Sequence, residues 1–251
     1  MVLIALVVYD GVLDAECEAF RSVLSLVRDA RVVTVGARAG EYAGPGGNQH
    51  VDATFSEIDH ADVVVVPGGL GCERAADDAD LRNFLHRMER TARYVAASST
   101  GSVVLASAGL LHGQPAATHW LASDLLRRYG SEADTRRLVI AGNVITCEGQ
   151  ISAVDAALAL VERLEGSDAI DRIRATLIER GRPLFHAPTL IDRVVARLRD
   201  LFGAREGGGR PDPKPVPAEP PVTPLSVMVE LVDNEDDARR LRRSARQRRK
   251  Q

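Results

Sequence analysis

The stretch from Val95 to Leu105 constrains the fold of this chain more than any other segment. It consists of a short apolar run, the polar residues 98–100, and then small and apolar residues at helical spacing. This pattern predicts a β-strand, a sharp elbow at Ser99 and an α-helix. A side chain at such an elbow stands clear of the sheet, and the exposed N–H groups of the helix can hold an anion or a developing oxyanion. An ordinary turn whose serine caps the helix is the alternative interpretation.

Apolar runs of strand length alternate with helical patterns along the chain as far as residue 201. This alternation predicts an α/β fold built on a parallel sheet. A glycine-rich segment at 40–49 predicts a loop or a hairpin. The predicted strands are 2–8, 31–35, 62–66, 94–97, 116–120 and 138–147, and the predicted helices are 13–27, 80–91, 100–111, 151–164, 169–179 and 190–201.

The segment Pro67-Gly68-Gly69-Leu70-Gly71 interrupts the β-branched run 62–66 at once. Such a break is typical of the end of a parallel strand that faces a ligand crevice, and the glycines leave backbone amides open to approach. The glycines of 40–49 do not indicate a phosphate loop, because no Gly-Lys-Ser/Thr follows them and no helix begins there.

Composition places the chain among soluble globular proteins, with 45% hydrophobic and 27% charged residues and a net charge of −3. That charge predicts no general attraction to nucleic acid or to an anionic membrane. The apolar residues 1–10 lack a basic leader, so we expect a buried strand rather than a signal peptide. Three widely spaced cysteines, Cys17, Cys72 and Cys147, fit neither a disulfide framework nor a paired zinc site. We therefore expect a cytoplasmic protein with no metal and no cofactor.

The composition changes after Phe202, where glycine and proline become frequent. This change predicts an α/β domain at 1–202 and, at 203–251, a linker followed by a charged, flexible tail. Residues 226–231 are sufficiently apolar to form a short element, and the basic segment 239–250 can form a charged helix. A solvated or partner-docking tail is favoured over contact with nucleic acid.

Five short motifs, taken together in their order and spacing, resemble the ThiJ/PfpI superfamily, which is class I glutamine amidotransferase-like. The resemblance spans about residues 2 to 180. It is most specific to the branch that holds isonitrile hydratases and the amidase-like domains of AraC-type regulators. It implies a flavodoxin-like parallel sheet sandwiched by helices, and a homodimer. The motifs are Pro67-Gly68-Gly69, Ser99-Thr100-Gly101-Ser102 running to Ala108-Gly109-Leu110-Leu111, Ala117-Thr118-His119-Trp120, Asn143-Val144-Ile145-Thr146-Cys147 and Asp155-Ala156-Ala157-Leu158.

The resemblance also implies a set of site residues. The family carries a cysteine at the elbow, assisted by an acidic residue from the loop or helix after the first strand, and these positions fall on Ser99 and Glu16. A solvated carboxylate in the first turn of a helix is the alternative for Glu16. The backbone amides implied as oxyanion donors are those around Gly68, Gly69, Leu70 and Thr100.

Serine at the elbow changes the chemistry that the site can perform. A helix N-terminus can turn a thiol into a thiolate, whereas a serine hydroxyl needs a general base within hydrogen-bonding reach. His119 can assist if it faces the site, although a structural histidine is the commoner case. Thr100 can orient water or substrate, or it can serve only to start the helix. We expect Cys17 and Cys72 to be buried and inert.

Two functions of different kinds follow from the resemblance. The first is an isonitrile hydratase-like lyase, or a related hydrolase acting on a small carbon–nitrogen compound, with Glu16, Ser99 and Thr100 as its catalytic residues. The second is a catalytically inactive ligand-binding or regulatory protein. A complete AraC-type regulator is not favoured, because the segment after 202 is too short and too proline-rich for two helix-turn-helix repeats. A glyoxalase or protein-repair activity is least favoured, because it relies on the cysteine.

Overall fold

The computed structural model describes residues 1–179 of the chain, and the predictions made for residues beyond 179 lie outside this part. The strands are β1 (Val2–Val7), β2 (Ala30–Gly36), β3 (Gly40–Ala43), β4 (Asn48–Val51), β5 (Ala53–Thr54), β6 (Val63–Val66), β7 (Tyr94–Ser98), β8 (Pro115–Ala117), β9 (Glu132–Asp134), β10 (Leu138–Ala141) and β11 (Val144–Cys147). The helices are α1 (Asp14–Leu24), α2 (Cys72–Asp77), α3 (Ala79–Glu89), α4 (Gly101–Ser107), α5 (Ser123–Arg128), α6 (Gln150–Glu165) and α7 (Ser167–Glu179).

A seven-stranded sheet forms the centre of the fold, in the order β10-β11-β7-β6-β1-β2-β5. Every neighbouring pair in it is parallel except β10 and β11. Helices α1, α6 and α7 pack against one another, as do α2, α3 and α4, and these two groups flank the sheet. The predicted α/β fold is therefore confirmed.

One edge of the sheet departs from the predicted parallel arrangement. The segment 138–147 forms a hairpin rather than one strand, and Leu138 lies opposite Cys147 in an antiparallel pair. The chain reverses at Gly142, whose φ of 60° is readily reached only by glycine. A two-residue connection cannot return a chain to a parallel neighbour, so the pairing is antiparallel.

Several other boundaries differ from the sequence prediction. The glycine-rich segment forms the β3–β4 hairpin, which confirms the hairpin alternative. Strand β8 ends at Ala117, because Trp120–Ala122 forms a 3-10 turn. The elbow helix α4 ends at Ser107 instead of residue 111. The short helices α2 and α5 were not predicted, since six residues show little periodicity.

The sheet interior explains why the apolar runs are continuous. All four residues of β6 are buried, because a parallel strand is covered by helices on both faces. Strand β6 pairs with β1 on one side and with β7 on the other. The carboxyl ends of these three strands therefore meet at one edge of the sheet. This brings together the segments after them, which are residues 8–13, 67–71 and 99–100.

None of the helices within residues 1–179 combines the length and the apolar composition needed to cross a membrane.

Candidate functional site

The elbow has the predicted conformation. Ser99 follows β7 with a φ of 53°, and Asp29 is the other non-glycine residue with positive φ in the described part of the chain. The backbone around Ser99 is held on both sides, because its N–H donates to the Cys147 carbonyl at 2.8 Å and its carbonyl accepts from the Thr118 hydroxyl at 2.9 Å. A non-glycine residue in the left-handed region costs about 1–3 kcal/mol and persists where its surroundings fix it.

The first residue of helix α4 lies unusually close to strand β6. A Cβ atom on Gly101 would lie 2.1 Å from the Val66 carbonyl oxygen, so no larger residue fits there without movement. Glycine at this position lets the helix begin directly above the sheet edge. This close approach makes the turn between β7 and α4 sharp.

Glu16 is buried, with only 1% of its surface exposed. It lies in the first turn of α1, and its Oε2 accepts hydrogen bonds from the Gly68 N–H at 2.7 Å and from the Ser98 hydroxyl at 2.5 Å. The start of α1 is tied to the same loop, because the Leu13 N–H donates to the Gly68 carbonyl at 2.9 Å. The alternative of a solvated helix carboxylate is therefore wrong.

Glu16 and Ser99 meet at Gly68. A Cβ atom on Gly68 would lie 2.7 Å from Ser99 Cβ and 3.0 Å from Glu16 Oε2. The nearby Ser99 hydroxyl also acts to lower the pKa of the Glu16 carboxyl. The structure thus brings together the acid and the elbow residue that the family resemblance paired.

Burial raises the pKa of Glu16 above its usual range, and the hydrogen bonds from Ser98, Gly68 and Ser99 oppose this rise only in part. Removing a carboxylate from water penalises the charged form, which favours the protonated acid. A carboxyl group with a raised pKa can donate a proton near neutral pH and take it back later. The site therefore contains a group suited to general acid–base chemistry.

The Thr100 hydroxyl is bound to Gly69 in two ways. It accepts from the Gly69 N–H at 2.8 Å and donates to the Gly69 carbonyl at 3.0 Å. It makes no capping bond to α4, so the alternative of a helix-starting role is wrong. Thr100 instead fixes the glycine loop against the elbow.

The predicted oxyanion donors are only partly free. The N–H groups of Gly68 and Gly69 are already used by Glu16 and Thr100, because the loop packs directly against both side chains. Within residues 1–179, the N–H groups of Leu70 and Thr100 donate no hydrogen bond to another protein group. The Leu70 side chain is exposed. Two of the four predicted amides therefore remain available to a ligand.

His119 lies beside the site but outside its hydrogen-bond network. Its Nδ1 accepts from the Leu121 N–H at 3.4 Å, and its ring lies 5.9 Å from that of Trp120. Burial lowers the pKa of His119, which favours the neutral ring. In the described part of the chain, no hydrogen bond joins this ring to Ser99 or Glu16. The structural role that was the alternative is consistent with this bond, and a part for His119 in binding substrate stays a prediction.

Three residues of the site were missed in the sequence. The buried Tyr9 hydroxyl donates to the Pro67 carbonyl at 2.8 Å, Ser98 donates to Glu16, and Thr118 donates to the Ser99 carbonyl. Tyr9 is the second residue after β1, and Ser98 and Thr118 are polar residues at or just beyond a strand end. A polar residue that interrupts an apolar strand at its carboxyl end is the signal that indicates them.

The three cysteines are buried and reduced. Burial raises the pKa of Cys17 to about 12, and it also raises the pKa values of Cys72 and Cys147. A thiol that stays protonated is a weak nucleophile. Among residues 1–179, no group of three or more His, Cys, Asp or Glu residues is arranged to hold a metal ion.

Comparison with known proteins finds an enzyme and a transcriptional regulator among the relatives of this chain. The chain is 37% identical over 132 residues to the isonitrile hydratase of Pseudomonas putida, an alignment that covers 53% of this chain and 58% of that protein. It is 32% identical over 144 residues to the HTH-type transcriptional regulator CdhR of Pseudomonas aeruginosa, covering 56% of this chain and 43% of the regulator. The chain thus spans about half the length of these relatives.

A solved structure agrees with the fold. The crystal structure of a ThiJ/PfpI family protein from Pseudomonas syringae superposes with a TM-score of 0.68 at 25% identity, covering 80% of this chain and 86% of that chain. The sequence model of the DJ-1/PfpI family matches residues 2–163. The resemblance inferred from the motifs is confirmed, and the chain belongs to the DJ-1/PfpI family.

Proposed function

We propose that the protein is an isonitrile hydratase-like lyase, which adds water to a small isonitrile and releases an N-substituted formamide. The observation that carries the proposal is the buried Glu16 carboxyl placed against Ser99 at the elbow. The likeness to the isonitrile hydratase of Pseudomonas putida supports the same substrate class.

A serine can serve in this reaction because the acid acts first. The terminal carbon of an isonitrile carries a lone pair, so it can accept the Glu16 proton and form a nitrilium ion. This cation is electrophilic enough to be attacked by a neutral hydroxyl, whereas an unprotonated isonitrile calls for a stronger nucleophile. The raised pKa of Glu16 therefore compensates for the absence of a thiolate.

The steps balance without a cofactor. The Ser99 oxygen bonds to the nitrilium carbon while its proton returns to the Glu16 carboxylate, which gives a formimidate ester. Water then adds to the same carbon, and one of its protons passes to the nitrogen. The other proton leaves with the Ser99 oxygen, and the formamide is released. The N–H groups of Leu70 and Thr100 can hold the oxygen of the entering water. Thr100 keeps the glycine loop in place through Gly69.

The test is a hydratase assay with a simple alkyl isonitrile, followed by detection of the N-alkylformamide. We expect the parent to be active and Glu16→Gln to lose about 100-fold or more in kcat/KM, which is typical of losing a general acid. Ser99→Ala should also lose activity. Glu18→Gln is the matched control, because Glu18 lies on the same helix with its side chain exposed. Equal turnover by Glu16→Gln and the parent would refute the proposal.

The second candidate is a ligand-binding protein that has lost catalysis. It is favoured by the engagement of the Gly68 and Gly69 N–H groups within the protein, which leaves fewer donors for a reacting atom. Activity that is absent in the parent but present in Ser99→Cys would support this candidate. In either case we propose a cytoplasmic homodimer that takes a small molecule, and light scattering at several concentrations tests the dimer.

A further inference from the structure

Ser98 has a contact that distinguishes it from the other strand-end residues. Its side chain is fully buried at the end of β7, and its hydroxyl donates to Glu16 Oε2 at 2.5 Å. The strand register fixes this position, because Ser98 lies opposite Cys147 in the parallel pair of β7 and β11. The hydroxyl thus connects the elbow strand directly to α1.

Two donors converge on one oxygen of the carboxyl. Oε2 accepts from the Ser98 hydroxyl and from the Gly68 N–H, which uses both of its lone pairs. An oxygen that accepts two hydrogen bonds is the carbonyl oxygen of a carboxylic acid. The proton of the acid form must then lie on Oε1.

We propose that Ser98 is a positioning residue, which together with the Gly68 N–H keeps Oε2 as the acceptor and places the acidic proton of Glu16 on Oε1. The placement of the proton follows from the contacts alone. Its consequence for turnover rests on the proposed hydratase function. In that reaction, Oε1 is the oxygen that exchanges the proton, because Ser98 and Gly68 both donate to Oε2.

The surroundings of Glu16 give the hydrogen bond from Ser98 a large effect on the pKa of the carboxyl. Within residues 1–179, the titratable groups that face the carboxyl are Tyr9 at the end of β1, Cys147 on β11 and the neighbouring Cys17. None of them carries a positive charge. The carboxylate form is therefore stabilised by hydrogen-bond donors and not by an ion pair, so losing one donor raises the pKa of Glu16 further.

The experiment follows the titration of Glu16 by carbon NMR of protein labelled at the glutamate carboxyl, with Glu16→Gln to assign the signal. We expect Ser98→Ala to raise the titration midpoint by about one pH unit, and Ser98→Thr to restore it because the hydroxyl is retained. Ser102→Ala is the matched control, since this buried serine donates to the Ala117 carbonyl at 2.6 Å instead. It should leave the midpoint unchanged.

The outcomes separate this inference from the proposed function. An unchanged midpoint in Ser98→Ala, or an equal shift in Ser102→Ala, overturns the positioning role. If the parent hydrates isonitriles, kcat in Ser98→Ala should fall about tenfold with KM unchanged, and its pH profile should shift with the NMR midpoint. If no variant turns over, the NMR shift still tests whether the Ser98 hydroxyl stabilises the Glu16 carboxylate. Should Ser98→Ala fail to fold, Ser98→Cys keeps the volume with a weaker donor and should shift the midpoint in the same direction.

Discussion

Ionisation of Glu16 should cost this protein stability, and the cost should depend on pH. The carboxyl is buried and its pKa in the folded protein is raised above the ordinary value of 4.5. A group of this kind contributes stability that is fully present below its unfolded pKa and is lost as pH rises through its folded pKa. The parent should therefore become less stable, relative to a variant without this charge, as pH increases from about 4.5.

Linkage gives the size of the effect as a slope. Between the two pKa values the unfolded chain has released the proton while the folded protein still holds it. The free energy of unfolding then falls by about 1.4 kcal/mol for each pH unit. Above the folded pKa the loss stops growing. Glu16→Gln resembles the protonated acid in shape and cannot ionise, so this slope should be absent.

Urea denaturation of the parent and of Glu16→Gln at pH 5, 6, 7 and 8 measures the difference. We expect the stability of the variant relative to the parent to increase with pH and then level off. Ser102→Ala, which removes a buried hydroxyl and no ionisable group, should show no such trend. A difference that stays constant over this range, or that shrinks as pH rises, would refute the claim that burial dominates the environment of Glu16.

Three further predictions concern the elbow. Gly101→Ala places a carbon atom 2.1 Å from a backbone oxygen of β6 and should destabilise the protein by about 1–3 kcal/mol in urea denaturation. An unchanged denaturation midpoint would contradict the close contact between the start of α4 and β6. Ser99→Cys should react with iodoacetamide faster than a free cysteine, because the amides at the start of α4 favour the thiolate. The native cysteines are buried and should add little to the measured reaction. Reaction at the rate of a free cysteine would argue against an electropositive elbow. Thr100→Val removes the acceptor of the Gly69 N–H and one donor to the Gly69 carbonyl, which also accepts from the Cys72 N–H, and should cost about 1–3 kcal/mol, with Thr100→Ser restoring most of it. A loss in Thr100→Ser as large as that in Thr100→Val would contradict a stabilising role for the hydroxyl.

The fold was predictable from the sequence because its strands are buried on both faces. The continuous apolar run of β6 and the helical periodicity of α6 are strong signals, and their alternation determines the fold class. The hairpin at 138–147 was missed although Gly142-Asn143, a dipeptide typical of two-residue hairpin turns, separates its two strands.

The sequence indicated the elbow and the acid of the site but not Tyr9, Ser98 and Thr118, nor the contacts that these residues make. The elbow at Ser99 follows from the local strand–turn–helix pattern, whereas Glu16 was selected only through the family resemblance. Nothing in the sequence indicates that the Ser98 hydroxyl reaches across 82 positions to the Glu16 carboxyl. Hydrogen bonds of this kind depend on how α1 packs against the sheet edge, and packing is decided by the whole core.

The elbow is held in place by atoms that every amino acid possesses. At position 99 the backbone N–H and C=O are engaged by Cys147 and Thr118, and the side chain takes no part in either bond. The scaffold therefore maintains its shape independently of which functional group it presents at this point. An exchange between thiol and hydroxyl at residue 99 therefore alters the reactivity of the site without altering the backbone of the elbow. A protein of this fold can change its chemistry by one substitution.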